Sequence, residues 1–111
     1  MNEELATRFT KLLKPLFPPE TDILRRPSSG ELILVVDWKL KDDPARPNKR
    51  SRKIIVQITH ETIVDYADGT DQHRRSEERR IAAAVTTRLN AFEPKHNSPC
   101  GTPEPEETWV L

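Results

Sequence analysis

Two stretches of the chain alternate between apolar and polar positions at the period of a β-strand. In residues 31–41, Leu32, Leu34, Val36, Trp38 and Leu40 share one face. Glu31, Ile33, Val35, Asp37, Lys39 and Lys41 share the other. In residues 53–59, Ile54, Val56 and Ile58 oppose Ile55, Gln57 and Thr59. One face of each run is wholly apolar and the other is mixed, the pattern of an antiparallel sheet with one wet side. Strands are expected at about 31–40 and 52–59. A third, edge strand at about 22–26 is built on Ile23 and Leu24. A four-residue loop, Pro27-Ser28-Ser29-Gly30, would set Ile23 opposite Leu34 on the core side. The extra strand is also needed because an isolated two-stranded hairpin is marginal in water.

The flanking segments carry the helical period. In residues 2–14, Leu5, Phe9, Leu12 and Leu13 form a stripe that Leu16 continues, with Asn2 as cap, Glu3 and Glu4 in the first turn and Lys11 and Lys14 in the last. Pro15, Pro18 and Pro19 end this helix. A long C-terminal helix is expected at about 72–92, capped by Thr70, Asp71 or Ser76. Its buried stripe is Ile81, Ala84, Val85, Leu89 and Phe92, and Pro94 stops it. Residues 60–68 read two ways. Ile63, Val64 and Tyr66 suit a strand. Thr59 as a cap, a face of Ile63, Tyr66 and Ala67, and a left-handed Gly69 suit a short helix, which the punctuation at both ends favours. The fold class is therefore α+β: an N-terminal helix, a three-stranded antiparallel sheet, a short element and a long helix packed on the apolar sheet face. Residues 1–94 form one small domain, and residues 95–111, rich in proline and glutamate, read as a disordered acidic tail.

Composition sharpens this. Of 111 residues 34% are hydrophobic and 32% charged, so the core is thin and stability is modest or aided by self-association into a weak homodimer. The formal charge is zero, which argues against whole-molecule attraction to nucleic acid or membrane. One cysteine, Cys100, fits a reducing compartment, and no run is long and apolar enough for a membrane span, so a cytoplasmic location without membrane contact is expected.

The charges are segregated, however. The irregular connection at 42–52 and the strand after it carry Arg46, Lys49, Arg50, Arg52 and Lys53 without an acid from 44 to 53. Arg74, Arg75 and Arg79 gather at the start of the long helix. Joined on one surface, these eight would make a candidate polyanion-binding patch. Such a patch, with helix–strand–strand–strand–helix order, is loosely similar to double-stranded-RNA-binding domains, a resemblance that implies RNA binding. The similarity is one of element order: the chain lacks their Gly-Pro-x-His loop and their run of lysines opening the last helix. The acidic tail, with Glu104, Glu106 and Glu107, could screen the basic loop, Trp109 resting on nearby apolar surface.

Chemistry is harder to find. Three glycines provide no phosphate cradle. His60, His73 and His96 do not fall at i, i+4 from one another, and Cys100 sits among acids. Asp37 and Asp65 are the carboxylates that a pocket would have to bring together. The expected function is a non-catalytic binding or protein-interaction module with no catalytic residue, cofactor or metal. Its partner is a protein rather than nucleic acid; the alternative is a weak nucleic-acid binder using the basic loop and helix start.

Overall fold

The computed structural model describes residues 3–40, 50–92 and 106–111. The connection at 41–49, with Arg46 and Lys49, and the stretch 93–105, with Pro94, His96, Cys100 and Glu104, lie outside the described residues, as does Asn2.

The chain runs α1 (Glu3–Leu13), a 3-10 turn (Lys14–Leu16), β1 (Asp22–Arg26), β2 (Leu32–Asp37), β3 (Ile54–Ile58), α2 (His60–Asp68), α3 (Asp71–Asn90) and β4 (Glu107–Val110). α1 yields to the 3-10 turn where Pro15 enters, and Phe17 takes an extended conformation. Thr59 caps α2, its hydroxyl accepting from the Thr62 N–H, and Thr70 caps α3 by accepting from the His73 N–H. The short element is thus a helix. Its exit differs from expectation: Gly69 is extended, at φ −82° and ψ 163°, because the chain turns directly into the next cap. Ala67 is exposed, and Ile63 and Tyr66 alone bury the inner face of α2.

The sheet has four strands in the order β1-β2-β3-β4, the first three antiparallel and β4 parallel to β3. Three antiparallel strands were expected, and the tail was expected to be disordered. Residues 107–110 are instead the fourth strand: Ile54, Ile55, Val56 and Gln57 pair with Glu107, Thr108, Trp109 and Val110. Beyond it, the Leu111 N–H donates to Gln57 O at 2.8 Å, and Leu111 O accepts from Thr59 N and the Thr62 hydroxyl, both at 3.2 Å. The last strand is thereby tied to the start of α2. The β1–β2 register sets Ile23 opposite Val36 rather than Leu34. The slip is two residues, so Ile23 keeps its face. The longer loop uses Gly30 at φ +79°, where a side chain would be strained and would press on the His60 ring, whose Nδ1 lies 3.0 Å from Gly30 O.

The helices lie on the face that the period-two pattern marks as apolar. Leu32, Leu34, Val36, Trp38, Leu40, Ile54, Val56 and Ile58 pack with Ala6, Phe9 and Leu13 of α1, with Ile63 and Tyr66, and with Ile81, Val85 and Phe92. All six aromatic residues belong to two groups. Phe9 and Tyr66 pack with ring centroids 5.0 Å apart. Phe17, Trp38, Phe92 and Trp109 close a ring at 5.9–6.4 Å, two contacts edge-on and Phe17 stacked on Trp109. Ser51, itself buried, pins Trp38 there, its N–H donating to Trp38 O at 2.7 Å and its hydroxyl accepting from Trp38 N at 3.1 Å.

Trp38→Ala and Trp109→Ala should each cost about 3–5 kcal/mol, as removal of a buried indole does. Because the two indoles share Phe17 and Phe92, the double variant should lose less than the sum. Denaturant unfolding of the four proteins checks both; unchanged unfolding of Trp109→Ala would mean that β4 does not support the core.

Candidate functional site

The sheet pattern that buries one face leaves the other open. Leu24, Val35, Ile55 and Thr108 form one row across all four strands, and Arg26, Ile33, Gln57 and Val110 form the next. Among the described residues no helix covers these rows. Ile55 is buried yet lies outside the core cluster, Ile33 and Val35 are half-buried, and Leu24 and Val110 are 67% and 51% exposed. Ion pairs frame the apolar strip. Arg50 grips Asp37 with Nε and Nη2, both at 2.9 Å, and Asp22 at 2.6 Å, which holds its pKa above the ordinary arginine value. Arg26 and Glu106 meet at 3.6 Å. They belong to opposite edges of the sheet, about three strand spacings of 4.8 Å apart, so both side chains lean over the outer face. Glu31 accepts from the Gln57 side-chain amide at the far end.

Of the two basic groups, the described Arg52 and the cluster Arg74, Arg75 and Arg79 lie towards opposite ends of α3. Arg52 lies over the Phe92 ring at 5.3 Å and reaches Glu107 at 3.9 Å, at the C-terminal end of α3. Arg74, Arg75 and Arg79 begin that helix. Eighteen residues separate Arg74 from Phe92, about 27 Å at the α-helical rise. Arg74 serves the fold: it donates to the carbonyls of Tyr66 (3.0 Å) and Ala67 (2.7 Å) at the end of α2 and lies 5.7 Å from the Tyr66 ring centre. Arg75, Arg79 and Lys53 are exposed. Tail and loop charges do meet at Glu107 and Arg52, through a built strand rather than a hovering segment. Glu107 also accepts from the Trp109 indole N–H at 3.1 Å, and Trp109 is 1% exposed.

A second polar centre lies where α1, α2 and α3 converge. The buried Tyr66 donates its hydroxyl to Glu78 at 2.6 Å and accepts from Arg8 at 3.2 Å. Burial, and after it the Glu78 hydrogen bond, push the Tyr66 pKa above its ordinary 10.0, against the pull of Arg8. Beside it Arg8, Asp71, Arg74, Arg75 and Glu78 line an open cleft of about 250 Å³. Asp37 and Asp65 do not meet: Asp37 belongs to the outer sheet face, and Asp65 lies 2.7 Å from His73 Nε2. Asp65, His73 and Glu77 bring one ligand-type atom each within 4.8 Å of one another, a grouping missed when histidines were sought only with histidines. The spacing His73-x-x-x-Glu77, one helical turn apart, was the available signal.

The arrangement is a two-layer α+β domain with helices on one side of a mixed sheet. No protein-family model, curated protein or solved structure matches the chain. No described helix is long and apolar enough to cross a membrane.

Tyr66→Phe should destabilise by about 1 kcal/mol through its lost hydrogen bonds. The folded phenol keeps its proton to higher pH than the unfolded one. Stability from this group should therefore be constant below the unfolded value and fall as pH rises through the folded value. The chain has one tyrosine, so phenolate absorbance reads the titration directly, and an onset at the ordinary value would overturn the assignment.

Proposed function

We propose that the protein is a non-catalytic interaction module whose working surface is the outer face of its sheet. The observation that carries this reading is the exposed strip of Leu24 and Val110, backed by Ile33, Val35 and Ile55, on a sheet whose described helices pack on the other side. An apolar centre with a polar rim is the anatomy of a protein–protein contact. The rim favours a protein over a polyanion: Arg26 and Arg50 already meet Glu106, Asp37 and Asp22, so a phosphate backbone would have to displace carboxylates. The distance along α3 between the described Arg52 and the cluster of Arg74, Arg75 and Arg79 weighs the same way.

A photoreactive amino acid installed at position 24 or 110 tests the reading in cells. Discrete adducts are expected from both positions and none from position 61, on the exposed side of α2. An adduct of twice the 12.8 kDa chain mass would identify a second copy as the partner; another mass would identify a different protein. Adducts from position 61 alone, or a nucleic-acid adduct from Arg75 or Arg79 positions, would overturn it.

A further inference from the structure

The corner between α2 and α3 combines metal-ligand chemistry with room made for it. Asp65 comes from the last turn of α2, and His73 and Glu77 come from successive turns of α3. Their donor atoms lie within 4.8 Å of one another, and zinc takes nitrogen and oxygen ligands at 2.0–2.2 Å, so the three side chains would draw together on binding. Gly69 bears on the placing of the imidazole. Its backbone, at φ −82° and ψ 163°, suits any residue, so the turn itself does not call for glycine. The His73 ring does: a Cβ at position 69 would collide with Cδ2, and would stand 3.1 Å from Cγ and 3.2 Å from Asp65 O. The missing side chain is the space that lets the imidazole turn back towards Asp65.

We propose that Asp65, His73 and Glu77 bind a divalent transition-metal ion of the zinc class. One imidazole and two carboxylates are a donor set that such ions accept, with the remaining positions left to water. The two carboxylates balance the ion's charge. Arg80 is the built-in competitor: its Nε and Nη2 hold Glu77 at 2.8–3.3 Å, and this grip must loosen when the ion binds. His73 likewise exchanges its contact with Asp65 for the metal through Nε2. Bound there, the ion would clamp α2 to α3 across the Gly69–Thr70 turn. The site faces away from the outer sheet surface, so it stands or falls separately from the interaction reading.

Calorimetric titration of the full chain with Zn2+ alone, repeated with Co2+ to read the ligand field, tests this. One equivalent should bind and raise the unfolding temperature by mass action. His73→Ala should abolish binding, and Asp65→Asn and Glu77→Gln should each weaken it by about tenfold or more, the loss of about 1.4 kcal/mol of binding energy. Arg80→Gln should strengthen binding by releasing Glu77, and Gly69→Ala should weaken it by crowding the imidazole. A merely structural cluster predicts neither of these last two effects. Asp65 is exposed and His73 and Glu77 are half-buried, so unfolding curves recorded without metal separate any loss of fold stability in each variant from loss of the ion. Absence of 1:1 binding, or binding that survives His73→Ala, would overturn the proposal, the latter by assigning the ion to other side chains.

Discussion

The structure depends on closing the ring of Phe17, Trp38, Phe92 and Trp109. Only about a third of this chain is hydrophobic, so a large part of the apolar area it can bury resides in a few aromatic side chains. The four come from the turn after α1, the end of β2, the residues after α3 and the final strand. Each anchors a different element at the same end of the core. Trp109 reaches it only because β4 pairs in parallel with β3, an arrangement that requires a long crossover, and α2 and α3 supply most of one. Pairing of β4 and packing of the helices thus bury the same aromatic ring.

A sheet with helices on one side must leave its other side to water or to a partner. Here that side is neither plainly polar nor plainly apolar. A row of branched aliphatic side chains crosses all the inner strands, and carboxylate–guanidinium pairs flank it. Such exposed pairs add little to stability individually, and each leans on salt concentration. Their larger effect is to commit the arginines. Arg50 holds two strands together through Asp37 and Asp22, Arg52 covers Phe92, Arg74 closes α2, and Arg8 meets Tyr66. A chain with eighteen basic and eighteen acidic residues spends much of its cationic surface on its own architecture. Linear segregation of charge along the sequence is consequently a poor guide to charge at the surface.

Local order was legible wherever one residue's neighbours are its sequence neighbours. The apolar face of β2, the edge strand at Asp22–Arg26, the stripe of α1 and the caps Thr59 and Thr70 follow from periodicity and from hydroxyls placed before helical runs. The resemblance to double-stranded-RNA-binding domains rested on the same local order. The structure departs from that order in adding α2 and a parallel β4.

What the sequence determined by itself was the α+β class, the position of its helices and of the first three strands, and which sheet face is apolar, since these depend on contacts spaced two, three or four residues apart. The fate of Glu107–Val110 was decided only by tertiary structure. Four residues beyond a proline-rich stretch have no periodicity to read, and they become a strand because β3 offers an unpaired edge and the core lacks one indole. The slip of Ile23 from Leu34 to Val36 comes with a contact between Gly30 and His60, across thirty residues. The meeting of Asp65 with His73 and Glu77 was decided only by how α2 and α3 dock across the Gly69 turn. Contacts of this kind depend on where elements dock, and docking is set by the shape of the whole core rather than by any one stretch of the chain.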